Sequence, residues 1–79
     1  MKVQVLFFGA TADAIGKREI EIDLPNGAKS SDAFAEIVAA YPNLKQYKLL
    51  FAVNQEYADG DKIIAGGDEL AIFTAVSGG

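Results

Sequence analysis

Residues 18–41 read REIEIDLPNGAKSSDAFAEIVAAY, which is a strand, a turn and a helix in immediate succession. In residues 18–24, Ile20, Ile22 and Leu24 fall on one side and Glu19, Glu21 and Asp23 on the other. That two-residue alternation describes a half-buried strand near a sheet edge. Pro25-Asn26-Gly27 supplies the chemistry of a turn. Ser30 or Ser31 is the expected N-cap of the helix, with Asp32 in the first turn, where the helix dipole favours a carboxylate. Phe34, Ile37, Val38 and Tyr41 recur at i, i+3, i+4 and i+7, so one stripe of the helix packs on a sheet. Pro42 ends it, because the residue before a proline is pushed out of helical geometry.

Upstream, residues 2–8 (KVQVLFF) form a strand rich in β-branched and aromatic side chains. Residues 11–15 make one short helical turn, with Thr11 as its expected cap and Gly16 just past its end. Downstream, a loop over residues 43–48 leads to a buried strand at 49–53. A short strand with an Asp59-Gly60 turn follows in residues 55–62, then a Gly66-Gly67-Asp68 turn and a last strand-like run from Glu69 to Val76. The order strand, strand, helix, strand, short strand, strand specifies an α+β fold: a mixed five-stranded sheet with one main helix packed on one face. The crossover from the second strand through the helix to the third is expected to be right-handed. The other face of the sheet has no second layer. In the first strand, the set holding Lys2 and Gln4 is the more polar, so it looks away from the helix and carries Leu6 and Phe8 with it.

Composition narrows the function. A chain of 79 residues makes one domain. It contains no cysteine and no histidine, which removes thiol nucleophiles, thiolate metal sites and the commonest general base and metal ligand. Such a chain is not expected to run chemistry of its own. The formal charge of −4 disfavours nucleic acid and anionic lipid, and Lys17-Arg18 and Lys45 with Lys48 are too sparse for a nucleic-acid surface. No apolar run approaches the ~20 residues that span a bilayer, and no signal peptide is visible, so the expected location is cytoplasmic. Apolar residues make up 51% of the chain before its eight glycines are counted, more than a domain this small can bury. The surplus implies an exposed interface. Asp59, Asp61, Asp68 and Glu69 lack the spacing of a calcium loop and read as turn carboxylates, or as a patch for a basic partner. Gly66-Gly67 does not lead from a strand into a helix, so it is no phosphate loop.

The chain closes on Val76-Ser77-Gly78-Gly79. Two glycines present no side chains, so this end can thread a narrow channel and offer its carboxyl to another protein's active site. A linker-like remnant is the plain alternative. The element order, together with Val5-Leu6-Phe7-Phe8, Ala52-Val53-Asn54-Gln55, Gly67-Asp68-Glu69-Leu70-Ala71-Ile72-Phe73 and the terminal Val76-Ser77-Gly78-Gly79, resembles the ubiquitin-like β-grasp fold. Among its members the chain is most similar to the small subunits of molybdopterin synthase, the sulfur carriers of molybdenum cofactor biosynthesis. It departs from them at Thr74-Ala75, where that family often has two prolines.

The resemblance implies a single carrier domain over residues 1–79, with residues 76–79 as a flexible tail. It implies that a ubiquitin-activating-type enzyme adenylates Gly79 with ATP, and that a persulfide donor turns the adenylate into a thiocarboxylate. The sulfur then passes to a pterin precursor in the large subunit of molybdopterin synthase, the two subunits forming a heterotetramer. No cofactor is held stably by the chain and no metal is expected. Val76, Ser77 and Gly78 would thread the channel. β-Grasp folds place the first and last strands side by side, so Phe73 and Ala75 would join Phe8 and Leu6 in the partner interface. The competing reading leaves Phe7, Phe8 and Phe73 all in the core. Two other functions share the activation step: a thiamine-pathway sulfur carrier, and a protein modifier whose Gly79 joins a target lysine. A small interaction domain with an accidental Gly-Gly is the third alternative.

Overall fold

A computed structural model describes residues 1–57 and 60–74. The strands are β1 (Lys2–Phe7), β2 (Glu19–Asp23), β3 (Leu49–Val53), β4 (Glu56–Tyr57) and β5 (Glu69–Thr74). The helices are α1 (Ala10–Ile15) and α2 (Ser30–Ala40), followed by a 3-10 helix over Pro42–Gln46. The strands form one sheet in the order β2-β1-β5-β3-β4. β1 and β5 are parallel, and the other pairs are antiparallel. β2 lies at an edge, as its charged alternation requires, and β1 and β5 are neighbours at the centre. This is the β-grasp arrangement, with α2 covering one face.

Alternation sets which side chains fill the core. Val3, Val5 and Phe7 of β1, Leu70 and Ile72 of β5 and Val53 of β3 meet Ala33, Phe34 and Ile37 of α2, with Leu24, Ala28, Leu44 and Ile64 closing the ends. Each large side chain buried this way contributes roughly 1.5–3 kcal/mol. Phe34 stacks on Phe51, ring centroids 3.5 Å apart, and Phe7 meets Tyr41 edge-on at 6.2 Å. The stripe expected on the main helix is therefore the one that packs.

Both expected helix caps are corrected. The residue before α2 is Lys29, and the Asp32 carboxylate accepts its backbone N–H at 2.9 Å. Ser30 lies one turn before Phe34, so the stripe carries it inward. It is buried, and its Oγ has no hydrogen-bond partner. At α1 the capping position belongs to Gly9, with φ of 58°, while Thr11 sits inside the helix and is fully buried. Gly16 does end α1, in the left-handed conformation. The loop expected over residues 43–48 is mostly the 3-10 helix, in which Pro42 takes a first-turn position that needs no N–H. Strands β1 and β2 are also shorter than expected, by one residue and by two. Asp59 of the expected turn, and the last two positions of the run from Glu69 to Val76, lie outside the described residues.

Candidate functional site

The second face of the sheet is built by the residues that alternate with the core. β1 places Gln4 and Leu6 there, β5 places Ala71 and Phe73, and β3 places Leu50 and Ala52. The register aligns them in two rows across the sheet. Leu6 is opposite Ala71, Ala71 opposite Ala52, and Ala52 opposite Tyr57. One step further along, Phe73 is opposite Leu50, and the Phe8 N–H donates to the Ile72 carbonyl at 3.1 Å, which continues β1 beside β5. Leu6, Phe8, Ala52, Tyr57, Ala71 and Phe73, with Gln55 and Glu69 at the rim, line a groove of about 490 Å³. Phe8 is 51% exposed and Tyr57 77% exposed, and the Tyr57 and Phe73 rings lie 5.9 Å apart. No element among the described residues covers this face.

The groove is polarised along the strands. Gln4, Gln55 and Glu69 occupy the end where β1 starts, whereas Phe8, Phe73 and Leu50 occupy the end where β5 finishes. Residues 75–79 continue the chain from that apolar end. Of the sequence-predicted interface residues, the structure brings Leu6, Phe8 and Phe73 together on one surface. Phe7 alone of the three phenylalanines belongs to the core, which corrects the reading that buried them all. Ala75, Val76, Ser77, Gly78 and Gly79 lie outside the described residues.

Two hydrogen-bonded clips brace the apolar surface. At its apolar end, the Phe8 N–H donates to Thr11 Oγ1 at 3.1 Å, and that hydroxyl lies 2.7 Å from the Phe8 carbonyl and 3.0 Å from that of Ile72. The hydroxyl thereby ties the β1–α1 junction to β5, 61 residues away in sequence. At the opposite end, Asn54 donates to Asp68 Oδ1 at 3.0 Å and accepts the Glu69 N–H at 3.0 Å. The second Asp68 oxygen accepts the Ala65 N–H at 2.8 Å. These bonds, first the one from Ala65, then the one from Asn54, hold the Asp68 carboxyl below its ordinary range, with Lys62 adding to the effect. Asn54 and Gln55 both have positive φ, 50° and 69°, which closes the β3–β4 hairpin tightly. Two stretches that carried the resemblance, Ala52-Val53-Asn54-Gln55 and Gly67-Asp68-Glu69, therefore meet in space. Asp68 is a structural anchor of the turn, not only a solvated carboxylate.

Sequence reasoning missed Tyr57 on the groove, Leu50 on the same face beside Phe73, and Thr11 behind it. Leu50 was legible from the alternation of β3. Tyr57 sits in a two-residue strand, too short to show a period. Among the described residues there is no group of three or more acidic side chains placed to hold a metal ion. Nor is any helix among them long and apolar enough to cross a membrane.

The comparisons with known proteins bear on the whole chain. The molybdopterin synthase sulfur carrier subunit of Chlamydomonas reinhardtii is 36% identical over 83 aligned positions, covering all of both chains. That of Homo sapiens is 35% identical, covering 99% of this chain and 94% of its own. The crystal structure of small archaeal modifier protein 1 from Haloferax volcanii superposes with a TM-score of 0.86 at 27% identity, covering 95% of this chain and 98% of the other. The ubiquitin-like β-grasp assignment is thus borne out. The ThiS family model matches residues 5–79, and with relatives that align end to end, the chain belongs to the ThiS family.

Proposed function

We propose that this protein is the sulfur carrier subunit of a molybdopterin synthase, acting in molybdenum cofactor biosynthesis as one domain that works through residues 76–79. The observation that carries the reading is the apolar groove of Leu6, Phe8, Ala71 and Phe73, open at the end of the sheet from which the Gly-Gly terminus departs. A partner seated on that groove receives the terminus as well. The full-length relatives named as sulfur carrier subunits support the same reading.

The chemistry follows from what the chain lacks. A terminal carboxylate is ionised at neutral pH, with an ordinary pKa of about 3.3–3.7, and is a poor electrophile. The chain has no histidine or cysteine to activate it. An adenylating partner of the ubiquitin-activating type must supply ATP: the Gly79 carboxylate attacks the α-phosphorus, pyrophosphate leaves and an acyl-adenylate forms. A persulfide then displaces AMP, and thiol cleavage of the sulfur–sulfur bond leaves a thiocarboxylate on Gly79. In the large subunit that sulfur, a soft nucleophile, attacks carbon of the pterin precursor and displaces an oxygen leaving group. Water then cleaves the resulting thioester, leaving the sulfur on the pterin and returning Gly79 to its carboxylate. Val76 to Gly79 spans at most about 13–14 Å when extended, enough to carry the sulfur from the sheet into a neighbouring subunit's pocket. In this reading Val76, Ser77 and Gly78 are the residues that enter the pocket, and Ala75 counts with Phe8, Leu6 and Phe73 to the surface the partner recognises.

The test is sulfur transfer in a defined mixture. Thiocarboxylated chain with the large subunit and the pterin precursor should form the dithiolene, one sulfur per chain consumed. A mixture that turns over equally well with the unmodified carboxylate form contradicts the proposal. The likeness to a protein named as a modifier favours a second use of the same activated Gly79, an isopeptide bond to a target lysine. Covalent adducts of higher mass that require Gly79 are its signature.

A further inference from the structure

The sequence carries seven cations against eleven carboxylates, yet the fold does not spread them evenly. Four of the seven, Lys17, Arg18, Lys45 and Lys48, gather at the end of the sheet where β5 finishes. The Arg18 carbonyl accepts the Phe7 N–H at 2.8 Å, which sets Arg18 beside the end of β1. Lys17 follows Gly16, the left-handed residue that closes α1. Lys48 immediately precedes Leu49, whose register partner is Thr74, the last described residue of β5. Lys45 lies in the 3-10 helix, which Asn43 ties to α1 by donating to the Ala14 carbonyl at 2.5 Å. All four are exposed, and among the described residues none lies within ion-pairing distance of a carboxylate. Met1 pairs with Asp23 and Lys2 with Glu21, both at the opposite end. Among the described residues Asp13 and Glu19 share the basic end, whereas Asp23, Asp32, Glu56, Asp68 and Glu69 sit at the far end. With strands about 4.8 Å apart and the order β2-β1-β5-β3, Arg18 and Lys48 flank the end of β5 roughly 14 Å apart.

We propose that these four cations form a collar around the departure point of the terminus, and that it docks on an acidic rim surrounding the pocket of the protein that accepts the terminus. The inference rests on the proposed insertion of Gly79 into the large subunit, and it adds the chemistry of the surface that surrounds the entry. The spacing favours a protein rim over a small anion. Cations roughly 14 Å apart cannot converge on one phosphate. The collar is also continuous with the apolar groove, since Arg18 and Glu19 line the cleft of about 480 Å³ that runs on to Leu6 and Phe8. A basic end on an acidic chain orients the molecule as it approaches: the groove end is drawn to an acidic partner while the far end is repelled.

The test measures association and dissociation rates with the large subunit across ionic strength. The collar variant Lys17→Gln, Arg18→Gln, Lys45→Gln and Lys48→Gln is compared with a far-end variant, Lys29→Gln and Lys62→Gln. At low salt the collar variant should associate about tenfold more slowly than wild type. The gap should close at high salt, where charges are screened within a few ångströms. The far-end variant should associate within about twofold of wild type, and Lys48→Glu alone should slow association further than Lys48→Gln. Equal slowing by the two variants, or wild-type association that accelerates as salt is added, overturns the collar while leaving carrier function intact. Failure of wild-type protein to bind the large subunit at all overturns both.

Discussion

Phe73→Ala removes the central ring of the groove, and the structure fixes what it should cost. A phenylalanine buries 150–250 Å² when fully covered, and Phe73 is partly exposed in the isolated chain. Roughly 70 Å² of ring is therefore left for a partner to cover, worth about 1.8 kcal/mol at 25 cal/mol per Å². Affinity for the large subunit should fall about 20-fold. The fold should barely notice. The ring's aromatic contact is to Tyr57, itself largely exposed, so the loss to stability is ~1 kcal/mol or less, a few degrees in Tm. Calorimetric titration gives the affinity, and thermal melting by circular dichroism gives the stability. The contrast is Ile72→Ala, one residue earlier and fully buried on the helix side. It should cost 2–5 kcal/mol of stability while folded molecules bind nearly as wild type does. Unchanged affinity in Phe73→Ala would refute the assignment of the groove as the docking surface. Loss of folding would show the ring to be core.

Ser30→Ala deletes a buried hydroxyl that has no partner and should raise stability by about 1 kcal/mol, or roughly 4–8 °C in Tm; a fall in Tm means the hydroxyl is bonded. Thr11→Val keeps the shape but breaks the clip between Phe8, α1 and β5, so it should cost about 1–3 kcal/mol by denaturant titration, and a neutral result would remove that clip from the account. Asp68 makes stability depend on pH in a defined sense. Its carboxyl titrates lower in the folded chain than its ordinary 3.8, so its contribution is complete above that value and is lost as pH falls through the depressed one. The Tm difference between wild type and Asp68→Asn should therefore be flat from neutral pH to about 5 and shrink below it, whereas a gap that widens on acidification reverses the assignment.

How much of this could be read in advance depended on the range of each signal. The alternation of Ile20, Ile22 and Leu24, and the stripe of Phe34, Ile37 and Tyr41, are local patterns, and they placed β2 and α2 correctly. The polarity of Lys2 and Gln4 sorted β1 into its two faces, and so located Leu6 and Phe8. The helix caps failed because serine and threonine satisfy caps only when their side chains turn back on the backbone. Ser30 shares the buried stripe, and Thr11 is claimed by a carbonyl from the far end of the chain. The Asn54 bonds to Asp68 and Glu69 link residues 14 and 15 apart across a strand pair. Each stretch showed its importance separately, but nothing local announced their contact. The cationic collar was hidden for the same reason: Lys17-Arg18 and Lys45 with Lys48 are sparse in sequence and become neighbours of one exit only through the order of the strands.

The account stands or falls on the chemistry of Gly79. Intact mass of the chain produced alongside its adenylating enzyme and a persulfide donor tests it most directly, set against a chain bearing one alanine beyond Gly79. Wild type should gain about 16 Da, sulfur for oxygen, and the extended chain should gain nothing. An untrimmed extended chain that takes up the same mass, or a wild-type chain that never does, contradicts it.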